Sequence, residues 1–377
     1  MTRLGILGGG QLAQMLTQAA ISLGIEIAIF EQQPDSPAAR LTHQQVVGQW
    51  NDEEALVNFA LLCDTVTLEN EFVDSLVLRW LDQAGLTVYP SADTLADIQD
   101  KLLQKQRVEA ADIPLPAFSP VHSLDDIHMA AAAFGYPLLL KARRNGYDGY
   151  GNVTIRSADD ILPAWHKLGA DSGRELLAEA FVPFERELAV MVLRGRDGET
   201  RAYPVVETVQ QNHICHIVRA PAPIPSQTAE QAAETACRAV EVFEGVGVFG
   251  VELFALADGT VMYNEIAPRP HNSGHYSIEG CVTSQFENHL RAVLGWPLGS
   301  TEMIAPAAVM VNLLGKRDGK ADPNGICAAL AVPGAYIHLY GKRDVRTGRK
   351  MGHITALGDT LEQAEAIAQQ AAELVNL

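Results

Sequence analysis

The chain has 377 residues, 47% of them hydrophobic, enough for two or three packed units. Against 46 Asp and Glu it carries only 28 Lys and Arg, a formal charge of −18, and such a surface repels nucleic acid and anionic membranes. No apolar run approaches the roughly 18 residues of a membrane helix, Met1-Thr2-Arg3-Leu4 lacks a signal-peptide layout, and five scattered cysteines without a Cys-x-x-Cys pair argue against disulfides and structural zinc. The expectation is a soluble cytoplasmic protein whose small anionic ligands need a local basic site.

Leu4–Leu7, Ile25–Phe30, Thr65–Leu68 and Leu86–Tyr89 have strand character, and helical periodicity separates them at Gln11–Leu23, Glu53–Leu62 and Ser75–Gln83. That order predicts a parallel sheet covered on both faces. Gly8-Gly9-Gly10-Gln11-Leu12-Ala13 lies between the first strand and helix. Glycines there let the backbone approach an anion, and the helix N-terminus favours negative charge. Gly8-x-Gly10-x-x-Ala13 with Glu31 also fits a dinucleotide fingerprint. Nothing later resembles a nicotinamide enzyme, so the loop reads as a phosphate pocket for a mononucleotide; a plain tight turn is the bland alternative. Glu69 and Glu71 follow the third strand at the sheet edge where ligands bind. One of them could accept a hydrogen bond from a substrate amine, or both could belong to a solvated acidic loop.

From Pro114 the character changes: a helix is expected at Leu124–Phe134, then strands at Tyr136–Ala142 and Val153–Arg156 around a glycine-rich turn. Lys141 sits within an apolar strand, where an ammonium needs a partner such as phosphate. Gly146-Tyr147-Asp148-Gly149-Tyr150-Gly151-Asn152 reads as a hairpin flap able to close over phosphates through backbone N–H groups. A structural hairpin is the alternative. Strands are expected at Glu175–Ala180, Arg186–Leu193, Arg201–Val206 and Cys215–Arg219, and Thr228 with Gln231 reads as a capping box opening a helix to about Phe243. Glu179-Ala180-Phe181-Val182 and Glu187 could meet an adenine edge and ribose hydroxyls, or be ordinary sheet residues.

Asp258-Gly259 is a strong two-residue hairpin signal between Phe249–Leu256 and Val261–Ile266. Ala257 then pairs with Thr260, and equal steps outward put Glu252 opposite Glu265. Facing carboxylates repel and raise a pKa. A divalent cation relieves that repulsion, and so does a shared proton; hard oxygen ligands suit magnesium bridging to phosphates. Beyond the hairpin, a loop stiffened by Pro268 and Pro270 presents Arg269, His271 and Asn272, suited to an anionic substrate. His271 and His275 are expected to be hydrogen-bond donors. From about Pro306 the chain forms a small α+β tail ending in a helix at Leu361–Val375. Within it Lys342, Arg343, Arg346, Arg349 and Lys350 form a basic cluster, which reads as a phosphate site or, more blandly, a solvated turn or interface patch.

These motifs in this order resemble the 5-(carboxyamino)imidazole ribonucleotide synthases, ligases of purine biosynthesis in the ATP-grasp superfamily. The resemblance spans nearly the whole chain. Its most specific parts are Gly146-Tyr147-Asp148-Gly149, the run Asn264-Glu265-Ile266-Ala267-Pro268-Arg269-Pro270-His271-Asn272-Ser273-Gly274-His275 and the terminal basic block. It implies a mixed α/β and α+β ATP-grasp fold: an N-terminal parallel-sheet domain at 1–98, a nucleotide and metal domain at 99–300 and a small C-terminal α+β domain at 301–377.

The resemblance implies ATP contacts at Lys101, Lys141, Gly146, Tyr147, Asp148, Gly149, Tyr150, Gly151, Asn152, Glu179, Ala180, Phe181, Val182, Glu187, Gln210, Asn264 and Glu265, with two magnesium ions on Glu252 and Glu265. Aminoimidazole ribonucleotide is expected against Gln11, Leu12, Glu69, Tyr147, Arg269, His271, Asn272, Ser273, Lys342, Arg349 and Lys350, with Arg269, His271, Lys342 and Tyr147 closest to the chemistry. Bicarbonate would be activated as carboxyphosphate, and the enzyme would be a homodimer. The sequence departs from the family pattern at Lys101, where arginine is common, at Tyr150, often basic, and at Gln210, commonly histidine. A formate-dependent glycinamide ribonucleotide transformylase is the nearest rival, and a dinucleotide-binding oxidoreductase a more distant one.

Overall fold

Strands β1 (Arg3–Leu7), β2 (Glu26–Glu31), β3 (Gln44–Val47), β4 (Thr65–Leu68) and β5 (Thr87–Val88) pair in the order β3-β2-β1-β4-β5, every pair parallel. The computed structural model describes residues 2–146 and 151–377. Alternate residues of β1 serve two cores, as a sheet covered on both faces requires. Leu7 packs with Phe30 and Phe59, whereas Leu4 and Ile6 pack with Leu16 and Leu290. Side-chain caps start the next helices: Asp52 for Glu53–Ala60, Asp74 for Ser75–Gln83, Ser91 for Ala92–Gln99 and Asp100 for Lys101–Ala110. The last two were not foreseen. In Lys101–Ala110 the buried face carries Lys101, Gln104 and Lys105 beside Leu102 and Val108, so its polarity hides the helical pattern.

Strands β6 (Phe118–Val121), β7 (Leu138–Ala142), β8 (Asn152–Ile155) and β9 (Leu176–Ala180) form an antiparallel sheet, β6-β9-β7-β8, against the helix Leu124–Phe134. The third sheet begins with β10 (Arg186–Arg194), β11 (Thr200–Ala202), β12 (Val206–Gln211), β13 (Ile214–Ala220), β14 (Gly247–Ala255), β15 (Val261–Ala267) and β16 (Ala307–Leu314). After them come β17 (Gly319–Lys320), β18 (Ala335–Leu339), β19 (Asp344–Val345) and β20 (Lys350–Gly358). Its order is β15-β14-β10-β12-β13-β16-β20-β18, with β11 on β10, and β17 and β19 form a separate pair. The C-terminal strands β16, β20 and β18 therefore continue the central sheet, and only the short β17 and β19 build their own. Ala364, Ala368 and Ala371 of the helix Leu361–Leu374 pack against them.

Two expectations fail locally. Arg201–Val206 is not one strand: Pro204 has no N–H for the ladder, so β11 pairs with Val192–Arg194 and β12 with Glu187–Ala189 of the same neighbour. Thr228 and Gln231 form no capping box, because the helix Ser226–Val242 already begins after Pro225 and Thr228 is buried in its first turn.

Candidate active site

The parallel pairing sets the first part of the site. Leu7 lies beside both Phe30 and Leu68, so the glycine loop emerges between Glu31 and Glu69. Glu31 accepts the Gly9 N–H at 2.7 Å and the Gln32 N–H at 2.7 Å, which turns it into the loop rather than toward a ribose. Glu69 is buried at the start of the helix Gln11–Ser22 and accepts the Ala13 N–H at 3.4 Å. Burial pushes its carboxyl above the usual range despite that bond and one from Gly10. Carboxylates of the chain itself thus take part of the proposed phosphate cradle, and the dinucleotide reading loses its ribose ligand. Glu71 is engaged differently. Arg269 grips it with two N–H groups, one Nη2 bond being 2.7 Å, and the guanidinium outweighs burial to hold Glu71 below its ordinary value.

A second cluster hangs on Asp100. Its side chain caps the helix Lys101–Ala110 and also binds Arg143 through two bonds of 3.0 and 2.6 Å. Lys101 and Lys105 fall one turn apart on the face turned to the site. Lys141 does have a buried partner, but within the protein: its Nζ donates to Glu179 at 2.7 Å. Leu139 pairs with Glu179 and Lys141 with Leu177, so the two charges are diagonal neighbours on one face. Lys105, which sequence reasoning missed, stands 3.4 Å from the other oxygen of Glu179. Burial opposes the Glu179 charge, yet Lys105 and Lys141 hold its pKa at about 2. Burial pushes Lys105 down to about 8 although Glu179 opposes the shift. The Glu179 side chain is only 1% exposed, so its carboxylate is held by the two lysines inside the protein.

Glu252 does face Glu265 across β14 and β15. The route differs from the expected one. Leu256 N–H bonds to Thr260 C=O and Gly259 N–H to Leu256 C=O, a three-residue loop with Gly259 at φ 86°. That slips the pairing by one residue, so Tyr263 opposes Leu253. A bulge at Asn264 then restores the register at Glu265. Burial, then Glu265 and Glu187, raise Glu252 to about 7. Lys101 pairs with Glu265, and with Glu179 and Glu252 this overcomes burial to hold the ammonium above its ordinary pKa. Asn264 Oδ1 is buried without a hydrogen-bond partner among the described residues. Beside these groups opens a small cleft lined by Glu71, Lys101, Asn145, Gly146 and Glu265.

The loop after β15 is packed rather than loose. His271 Nδ1 lies 2.7 Å from Ser273 Oγ and its Nε2 is 3.5 Å from Glu252. Gly250 admits it, since a Cβ there would stand 2.5 Å from the His271 Cβ. Burial, with Arg269 and Lys350 nearby, keeps the imidazole well below its ordinary pKa. His275 is not a donor at Nδ1: Gln285, whose oxygen accepts the His271 N–H, donates to it at 3.0 Å. Asn272 exchanges two hydrogen bonds with Asn312 of β16. Gln210 lies at a bulge in β12, and its side chain bonds Glu187, whose pKa burial raises. Ala180 ends β9, Val182 is buried and Phe181 is exposed, while Gly151 and Asn152 begin the return of the flap through the pair Lys141–Asn152. Tyr147, Asp148, Gly149 and Tyr150 lie outside the described residues. Lys342 donates to the Lys350 C=O at 2.7 Å and Arg349 to the Asp344 C=O at 2.8 Å. The first bond ties the basic segment to the start of β20 and the second closes it on β19, and Lys350 acts electrostatically on Glu252 and His271. Gln11 is half-buried and Leu12 buried at the helix start beside Glu69.

Residues 1–99 match the ribonucleotide synthetase preATP-grasp domain, 106–286 the ATP-grasp domain and 308–367 the phosphoribosylaminoimidazole carboxylase C-terminal domain. That succession defines an ATP-grasp ligase. The chain is 43% identical to the N5-carboxyaminoimidazole ribonucleotide synthase of Synechococcus elongatus, over 93% of this chain and 88% of that protein. It is 42% identical to the phosphoribosylaminoimidazole carboxylase of Schizosaccharomyces pombe, of whose length it spans 66%. The fold superposes at a TM-score of 0.90, with 38% identity and coverage of 99% and 98%, on the N5-carboxyaminoimidazole synthase of Aspergillus clavatus in complex with ADP and 5-aminoimidazole ribonucleotide. The chain belongs to the N5-carboxyaminoimidazole ribonucleotide synthase family.

Proposed function

We propose that the protein joins bicarbonate to the amine of 5-aminoimidazole ribonucleotide, converting ATP to ADP and phosphate in purine biosynthesis. The observation that carries this reading is the bulged hairpin, which puts two carboxylates face to face beside Lys101, at a cleft that Glu265, Lys101 and the Arg269-bound Glu71 line. A formyl-transferring ligase and a dinucleotide oxidoreductase are not favoured by the relatives, and Glu31 is turned away from a ribose.

Magnesium fits the same place. Glu252 and Glu265 are hard oxygen donors at mutual close range, Glu252 is raised to about 7, and Asn264 Oδ1 is buried without a partner among the described residues. Glu252 and Glu265 would hold two ions, which would offset the charge of the nucleotide phosphates. Around them Lys101 and Lys141 reach the phosphates, flap residues Gly146 to Asn152 cover them, and Ala180, Phe181, Val182, Glu187 and Gln210 receive the adenosine. The neutral His271 and Arg269 hold bicarbonate for attack on the γ-phosphate, giving carboxyphosphate. Glu69 accepts a hydrogen bond from the substrate amine at Oε1, and Gln11, Leu12, Asn272 and Ser273 border the base and ribose. Lys342, Arg349 and Lys350 bind its phosphate. Functional units at 1–98, 99–300 and 301–377, a homodimer and a cytoplasmic location belong to the same proposal.

The deciding experiment supplies ATP, magnesium and aminoimidazole ribonucleotide with and without bicarbonate. ADP release should depend on bicarbonate, and labelled bicarbonate should enter an acid-labile carbamate. Full replacement by formate with a stable formyl product would transfer the assignment to the rival ligase.

A further inference from the structure

Three lysines crowd one carboxylate that cannot reach solvent, and only two of them can reach a ligand. Lys141 donates to Glu179 Oε2 at 2.7 Å and lines the strand that leads into the flap. Lys101 is committed to Glu265 at the mouth of the cleft. Lys105 is different. Its side chain is 2% exposed, and its Nζ lies 3.3 Å from the Asn264 C=O and 3.4 Å from Glu179 Oε1. Among the described residues that Oε1 has no hydrogen bond. The buried carboxylate thus has one oxygen firmly bound to Lys141 and one held near Lys105 but not bonded to it.

We infer that Lys105 is a positioning residue: the internal counter-ion of Glu179 that lets Lys141 leave this carboxylate for a nucleotide phosphate. The inference rests on the nucleotide site proposed above. Taking the only cation from a buried carboxylate leaves an uncompensated interior charge, so Lys141 could not be released if it stood alone. With Lys105 behind, a shift of a few tenths of an ångström completes a hydrogen bond to Oε1 as Lys141 departs. No proton needs to move and no bond breaks. Charge is balanced before and after, since Glu179 keeps one ammonium and the phosphate gains the other.

The test is calorimetric binding of the magnesium complex of β,γ-imido-ATP. Lys105→Met should lock Lys141 onto Glu179 and weaken the analogue by about tenfold or more. KM for ATP should rise in step while kcat at saturation falls far less. Lys105→Arg, which keeps the charge, should stay near the wild type. The double variant Lys105→Met with Glu179→Gln should recover most of the lost affinity, because no buried anion then holds Lys141. A purely structural role for Lys105 predicts no such recovery, and a double variant as weak as Lys105→Met overturns the inference. So does a folded Lys105→Met variant that binds like the wild type. If Lys105→Met does not fold, Lys141→Met decides: it should remain folded with nearly wild-type thermal stability, since Lys105 alone compensates Glu179. Collapse of Lys141→Met as well would refute the scheme. Failure of the wild type itself to bind the analogue would instead reject the nucleotide site.

Discussion

Tyr263 donates its hydroxyl hydrogen to the side-chain oxygen of Gln104 at 2.7 Å, in a fully buried contact between a helix and a strand far apart in sequence. The same Gln104 oxygen lies 3.4 Å from the Ile266 N–H, and its Nε2 donates to the carbonyls of Ile98 and Ile266 at 3.0 and 3.3 Å. As the edge strand of its sheet, β15 leaves backbone groups out of the ladder, and those at Ile266 are met by this one carboxamide. Since the bulge brings Glu265 opposite Glu252, Gln104 sets the geometry of the carboxylate pair from behind.

Replacing Gln104 by Leu should therefore cost on the order of 3 kcal/mol, through several buried groups left unmet. Urea denaturation measures this directly. Turnover should fall further than stability alone explains, and a variant with unchanged midpoint would mean that the bulge holds itself.

Glu265→Gln should remove magnesium-dependent turnover while the circular dichroism spectrum stays that of the wild type. Glu252→Gln should act in the same direction and more mildly, its carboxyl being raised to about 7 already. Near-normal rates in both variants at ordinary magnesium would exclude the facing carboxylates as ligands.

Lys342→Ala or Arg349→Ala should weaken the ribonucleotide and leave ATP almost untouched. One charged hydrogen bond lost is about 1.5–3 kcal/mol, or roughly ten- to a hundredfold in affinity. Titration calorimetry with each ligand separates the sites, and a selective loss of ATP binding would reassign the basic segment.

Acid should unfold the protein through its interior histidines. His289 Nδ1 accepts the Val248 N–H at 3.1 Å, its Nε2 lies 2.8 Å from Thr67, and burial pushes its pKa down to about 3. In the unfolded chain it titrates near 6.5. Stability is therefore intact above about pH 6.5 and declines below it by about 1.4 kcal/mol per pH unit for each such group, until the folded value is reached. Burial shifts His275 and His353 in the same direction. Denaturation midpoints at pH 7.5, 6 and 5 should fall steeply, and His289→Asn should flatten the slope by one proton; an unchanged slope would contradict the neutral bridge.

Much of this was legible in the residues because periodicity and turn chemistry are local. The parallel βαβα order, the flap strands and the pairing of Glu252 with Glu265 all followed from short windows. That pairing followed for an incomplete reason, since a longer turn and a bulge each displaced the register and cancelled. Lys105 and Gln104 escaped notice because a polar residue inside a helix looks solvated until its distant partners, Glu179 and Tyr263, are known. Nor could the sequence say that Glu31 would turn into the glycine loop: the bond to Gly9 depends on a side-chain rotamer, not on spacing.

The continuation of the central sheet into β16, β20 and β18 makes the tail impossible to detach cleanly. Cut after residue 300, the chain would keep β13 as a bare edge, its outward N–H and C=O groups seeking a partner and its apolar Ile217 and Val218 no longer screened. Such a fragment should be sticky rather than modular, recruiting strands from its own copies. The domain that carries the basic segment thus also covers the β13 edge, and the sheet ends instead at the short β18.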